Sequence, residues 1–207
     1  MDDLDRAVSA TNDAIAGHGI HRMERAAFQD SFTLPMKSWL RGMGIPDTAT
    51  AEVEKRWNAS MEAPAPAREK VAETLNLLRR RGVVTGVVTA ASHAVLVRDI
   101  SHNGLDGIFD QVRTSVRDKA ACLASLRHLG TRAYYMGDTA YDMSSARDAG
   151  YSSISIGGGY QRPDTLAAAG ADYHLDKFEE LVSLLNLPGP DGSQQGIVGH
   201  AVPDSKP

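Results

Sequence analysis

The apolar positions along the chain change period once, near residue 66, and that change divides it. Before it, Leu4, Val8, Thr11 and Ile15 recur at the three-to-four-residue spacing that lines one face of an α-helix. Gly17-His18-Gly19 stops that helix. Helical spacing resumes through "FTLPMKSWLRGMGI" and "ATAEVEKRWNASM", which carry Trp39 and Trp57. Both tryptophans read as packing residues in preference to a ligand box. Residues 1–62 are therefore expected to be all helical, and "APAPA" at 63–67 to form a turn or short linker.

After the linker, "REKVAETLNLLRRRG" places Val71, Leu75 and Leu78 on one helical face and ends at Gly82. "VVTGVVT", 83–89, is β-branched and continuous, the pattern of a strand buried on both faces. A helix follows over roughly 93–101, then a strand in "FDQVRTS" and a helix in "KAACLASLRHLG". Next come a strand in "AYYMG", a helix in "YDMSSARDAG" and a strand in "SSISIGGG". A helix in "PDTLAAAG", a short strand in "ADYHL" and a final helix in "KFEELVSLLNL" complete the series. Strands alternating with helices predict an α/β unit with a parallel sheet and helices on its faces. The expected division is a helical unit at 1–65, an α/β unit at 66–186 and a tail at 187–207. The tail is rich in Gly, Pro, Ser and Gln; it is expected to be disordered and to add no core.

Composition narrows the function. The 207 residues carry a net charge of −4 and no Lys/Arg block, so nucleic acid is not an expected partner. The lone cysteine, Cys122, excludes an intrachain disulfide and a Cys-rich zinc site. No apolar run is long enough for a transmembrane helix, and "MDDLDRAVSA" is too acidic for a signal peptide. A cytoplasmic protein is expected.

Candidate chemistry gathers where strands end. In "YYMGDTAYDMSSARDAG", Asp138 follows a strand's carboxyl end, where open α/β sheets bind ligands. Asp142 falls in the first turn of the next helix, and Gly137 lets the backbone come close. Two converging carboxylates suit a hard cation such as Mg²⁺. The bland alternative is a capping box from Thr139 to Asp142, with acids favoured at a helix start. Thr89 ends "VVTGVVT", where a hydroxyl and fresh N–H groups can cradle phosphate. Lys119 opens a helix against its dipole, which suits a point charge on phosphate; a solvated surface lysine is the alternative. Thr, then Lys, then Gly-Asp-x-x-x-Asp, each at a strand end, is more specific than any one member.

Over roughly residues 1–186 this order resembles the haloacid dehalogenase-like hydrolase superfamily, in its phosphoglycolate-phosphatase-like branch with a helical cap. The resemblance implies a Rossmann-like parallel core, phosphate binding by Thr89 and Lys119, and Mg²⁺ at Asp138 and Asp142. The proline that often follows the lysine is Ala120 here. The family's first motif, Asp-x-Asp-Gly-Thr/Val-Leu at the end of a first strand, does not occur in the chain. In the family its first aspartate attacks phosphorus and ligates Mg²⁺, and its second is the general acid/base. Asp2, Asp3 and Asp5 follow no strand and do not qualify. The expected function is a Mg²⁺-dependent phosphatase acting on a small phosphorylated metabolite, with the sequence beginning just after its catalytic motif and inactive as written. The alternatives are a non-catalytic binding or regulatory relative, or a phosphomutase of the same fold. A dehalogenase needs no Mg²⁺, so the acid pair argues against it. The family places the missing strand in mid-sheet, so a gap, direct pairing or a borrowed segment is expected. Marginal stability or self-association would follow.

Overall fold

A computed structural model of the protein describes residues 1–185. The expectations for the tail and for the end of the last helix lie outside the described residues.

The first part is helical. Helix α1 (Leu4–Ile15) buries Leu4, Ala7, Ala10, Thr11, Ala14 and Ile15, the one-face spacing expected of it. Helices α2 (Arg25–Ser31), α3 (Met36–Gly42) and α4 (Asp47–Ser60) close around that face. Phe28, Phe32, Trp39 and Tyr160 form an aromatic cluster with ring centroids 4.9–5.4 Å apart. Both tryptophans do pack: Trp39 is 3% exposed, and the Trp57 indole N–H donates to Thr11 Oγ1 at 3.1 Å. The "APAPA" stretch forms no helix or strand. Asn103 holds it, donating to the Ala65 carbonyl and accepting from the Ala67 amide.

The second part alternates as expected. Its elements run α5 (Val71–Arg80), β1 (Gly86–Val88), α6 (His93–His102), β2 (Gln111–Arg113), α7 (Lys119–Leu126) and β3 (Tyr134–Gly137). They continue through α8 (Ala140–Asp148), β4 (Ser152–Ile156), α9 (Pro163–Ala168), β5 (Tyr173–Leu175) and α10 (Leu181–Leu184). Every strand pairing is parallel, but the strands form two sheets and not one. Among the described residues β1 pairs only with β2, and the other sheet runs β3-β4-β5. Among the described residues, β1 and β3 do not pair with each other and no other strand lies between them, so direct pairing of the two is not what forms.

That separation corrects the reading of "VVTGVVT". The strand is confined to Gly86–Val88, and its residues are exposed or half-buried. Val84 is 50% exposed. With no neighbour on one side, the preceding residues turn away. The Thr85 amide donates to Asp110 Oδ2 at 2.8 Å and its hydroxyl to the Ile108 carbonyl at 3.0 Å. The core is divided likewise. One apolar cluster gathers Leu75, Leu78, Leu96, Ile100, Leu105 and Ile108; another gathers Ile154, Ile156 and Leu175. Leu181 packs against both.

The two parts meet at the loop after β4. Gln29 of α2 donates to the Gly159 carbonyl at 2.8 Å, Gln161 donates to the Phe32 carbonyl at 2.7 Å, and Arg162 pairs with Asp30. A buried ion pair, Arg6 to Asp99, adds a second link from α1 to α6.

Candidate active site

Thr89, Lys119, Asp138 and Asp142 are each carried on a turn that its own sequence builds. Thr89 directly follows β1, and its Oγ1 accepts from the Ala91 amide at 3.1 Å. Asp118 caps α7 by accepting from the Ala121 amide at 2.9 Å, which fixes Lys119 as the first helical residue. Thr139 and Asp142 form the capping box that opens α8: Asp142 Oδ2 accepts from the Thr139 amide at 3.2 Å and hydroxyl at 2.6 Å. Two glycines make room for the acids. A Cβ on Gly137 would lie 2.3 Å from Asp142 Cβ, and one on Gly159 would lie 2.3 Å from Asp138 Cβ.

The capping box and the charged role coexist in Asp142. While Oδ2 serves the cap, Oδ1 takes Lys119 Nζ at 2.5 Å and the Tyr135 hydroxyl at 3.3 Å. Lys119 is thus not a solvated surface lysine. Its side chain is 13% exposed, and its ammonium lies 5.7 Å from the Tyr141 ring centroid. Tyr135 ties this pair to β1, since its hydroxyl also lies 3.2 Å from the Val88 carbonyl. Burial, reinforced by the Asp142 charge, pushes the Tyr135 hydroxyl far above the usual phenol range, so it stays protonated.

Asp138 has different neighbours. Its Oδ2 accepts from the Tyr160 amide at 3.2 Å and its carbonyl from the Gln161 amide at 3.1 Å. Burial first, and then the negative charges of Asp142 and Asp3, push its carboxyl up to about 6. Asp138 and Thr89 both line a cleft of about 490 Å³ that separates β1 from β3. Among the described residues no three His, Cys, Asp or Glu side chains gather into a metal-binding group.

Asp3, Tyr135, Gln161 and Arg68 also belong to this neighbourhood, and sequence reasoning passed over them as site residues. Asp3 takes Arg6 at 3.0 Å and the Tyr160 hydroxyl at 3.1 Å, and it lines the same cleft. Gln161 accepts from the Ala140 amide at 2.5 Å, at the start of α8. Arg68, just past the linker, donates to the Gly157 carbonyl at 2.7 Å. Tyr135 lay inside the quoted motif but read as an ordinary strand residue. The others carry no local signal, because only the fold brings them near.

Comparison with known proteins bears on the family and the fold. Residues 1–156 match the family described as haloacid dehalogenase-like hydrolase. Pyrophosphatase PpaX of Bacillus velezensis is 27% identical over 128 residues, spanning 58% of this chain and 59% of that protein. The match therefore covers little more than half of the curated relative. A predicted phosphatase from Clostridium acetobutylicum superposes with a TM-score of 0.73 at 16% identity, covering 89% of this chain and 92% of its own. CbbY from Rhodobacter sphaeroides, crystallised with xylulose-1,5-bisphosphate, superposes at 0.63 with 22% identity, covering 86% and 90%. Both likenesses concern the fold. Among the described residues no helix is long and apolar enough to cross a membrane.

Proposed function

The chain belongs to the haloacid dehalogenase-like hydrolases, and from that premise we propose that it carries the phosphate- and Mg²⁺-binding part of a phosphatase site for a small phosphomonoester, without the nucleophile. The observation that carries this reading is the Lys119–Asp142 pair beside Asp138 and, through Tyr135, beside the end of β1. The names of the relatives support the substrate class: one is a pyrophosphatase, and another was crystallised with a sugar bisphosphate. The setting in this reading is the cytoplasm, and the ligand a small phosphorylated metabolite.

The donor set fits Mg²⁺ through Asp138. Such an ion keeps several waters and takes one or two carboxylates. Asp138 is an oxygen donor whose proton affinity is raised first by burial and then by neighbouring negative charge, and a divalent cation would offset the second. Asp142 is the second candidate, and its oxygens are shared with Lys119, Tyr135 and Thr139. Bound there, Mg²⁺ would draw charge from the phosphoryl oxygens. The chain's own groups do the rest of the binding. Lys119, held by Asp142, offers a point charge to a phosphoryl oxygen. Thr89 already accepts from Ala91, so its hydroxyl proton is left to donate. Neither group can attack phosphorus. Asp3 and Asp99 also line the cleft; Asp3 is engaged by Arg6 and Tyr160, and Asp99 by Arg6 and the Ala65 amide.

The test is binding and turnover measured together. Phosphorus NMR with a simple phosphate ester is expected to show Mg²⁺-dependent binding and no hydrolysis. Lys119→Ala should weaken binding at least tenfold. Hydrolysis that disappears in Asp138→Ala would defeat the claim that a nucleophile is missing. Among the described residues, every other carboxylate at the cleft is already engaged, which favours a second reading, a non-catalytic binding protein. The two separate when a strand ending in Asp-x-Asp-Gly-Thr-Leu is joined ahead of Met1: hydrolysis supports the phosphatase, and continued silence supports the binding protein.

A further inference from the structure

Helix α7 opens on Lys119, and the first amides of a helix find no partner within it. Two side chains supply partners here. Asp118 Oδ1 accepts from the Ala121 amide at 2.9 Å, and the Tyr141 hydroxyl accepts from the Lys119 amide at 3.3 Å. Asp118 is local to the helix, whereas Tyr141 reaches it from α8. The Tyr141 hydroxyl works in both directions, as a phenol can. While it accepts from Lys119, it donates its own proton to the Arg117 carbonyl at 3.2 Å. Its ring meets the other end of the same lysine. Lys119 Nζ lies 5.7 Å from the ring centroid, within the reach of the attraction between an ammonium and an aromatic face. Asp142, the next residue of α8, takes that ammonium at 2.5 Å. Two consecutive residues of α8 thus grip Lys119 at its amide and at its charge.

The segment that leads to Lys119 also holds the turn of Thr89. The Thr89 amide donates to the Arg113 carbonyl at 2.9 Å, the Ser115 amide to the Ala91 carbonyl at 2.8 Å and the Val116 amide to the Thr89 carbonyl at 3.0 Å. Ser115 has φ 55°, in the left-handed region that few residues other than glycine enter, and the two successive amides there both face residues 89–91. Tyr141 takes hold of the same segment at Arg117, between those amides and Lys119.

We propose that Tyr141 is a positioning residue: it fixes Lys119 at both ends and sets where that lysine stands relative to Thr89. Its value to ligand binding rests on the reading of Lys119 and Thr89 as phosphate-binding groups. A lysine carries its charge on a long flexible stem, and fixing that stem costs conformational freedom. A site in which the stem is fixed before the ligand arrives has less freedom left to lose on binding. Asp142 alone holds only the ammonium. The Tyr141 hydroxyl adds the backbone from which the stem starts, so the charge is defined by both of its ends.

The experiment uses two readouts on the 207-residue chain. Tyr141→Phe keeps the ring and removes both hydroxyl contacts; Tyr141→Leu removes the ring as well. The first readout is amide hydrogen exchange by NMR without ligand. In Tyr141→Phe, exchange at Lys119 is expected to rise about tenfold, while Ser115, Val116 and Ala121 change by less than about threefold. Equal acceleration at all four would make Tyr141 a general packing residue, and an unchanged Lys119 would make its hydroxyl contact idle; either result overturns the proposal. The second readout is binding of inorganic phosphate with Mg²⁺, followed by phosphorus NMR. Tyr141→Phe should weaken it about threefold and Tyr141→Leu about tenfold, and Tyr141→Leu should add nothing in a Lys119→Ala background. The same loss from Tyr141→Leu in that background overturns the proposal, because Tyr141 would then act without Lys119. If the wild type binds no phosphate, the functional reading falls, and the exchange pattern still decides whether Tyr141 positions Lys119.

Discussion

The helical part and the sheet part are built from similar proportions of apolar side chains, yet one closes its core and the other does not. In the helical part Ala7, Phe28, Leu40 and Val53 are at most 1% exposed, and the aromatic rings interlock. In the sheet part the apolar residues divide into two clusters that share Leu181. The difference lies in how each element finds its neighbour. A helix satisfies its backbone internally, so helices can slide until side chains meet. A strand satisfies its backbone only through another strand, so a vacancy of one strand cannot be closed by repacking side chains.

The largest test of that contrast is Phe28→Ala. It opens a cavity in the closed core and should cost about 3–5 kcal/mol in denaturant unfolding. A loss below about 1 kcal/mol would mean that the helical part is as loose as the sheet. The next test is pH. The Asp138 carboxyl is raised from its ordinary 3.8 to about 6, so its contribution to stability is full below pH 3.8 and is lost as pH rises through 6. Without metal, wild type should lose up to about 3 kcal/mol from pH 4 to pH 7 relative to Asp138→Asn. Adding Mg²⁺ at pH 7 should restore part of it, and equal pH profiles for the two proteins would break the assignment. Thr139→Ala removes the capping box and should cost about 1 kcal/mol. The smallest expected effect is Met136→Ala, below about 1 kcal/mol, because this β3 side chain is only half-buried. A cost of core size there would show that the cleft is closed in solution.

Much of this was legible in the chain. Helix α1 could be read from Leu4 to Ile15 because one buried face imposes a period that sequence alone displays. The Gly-Asp-x-x-x-Asp motif was legible because Gly137 and the capping box are local requirements of the same few residues. The extent of β1 was not legible. Val83 and Val84 have strand chemistry, but whether they pair depends on a neighbour far away in sequence. The division of labour between the two aspartates was equally hidden. Asp142 answers to Lys119 and Tyr135, while Asp138 answers to Asp3 and the loop after β4, and no spacing rule distinguishes them.

That loop has a mechanical consequence. Gly159 and Gln161 hold the carboxyl end of helix α2, the one through its carbonyl and the other through its side chain. The same few residues press on Asp138: Tyr160 donates to its carboxylate and Gln161 to its carbonyl. The loop is thus a short lever with the helical part on one arm and a single carboxylate on the other. The Tyr160 amide, together with the Arg68 charge, holds the acid's proton affinity down against burial and its acidic neighbours. The carboxylate and the helical part are thus wired to the same three residues, so neither can be repositioned without the other.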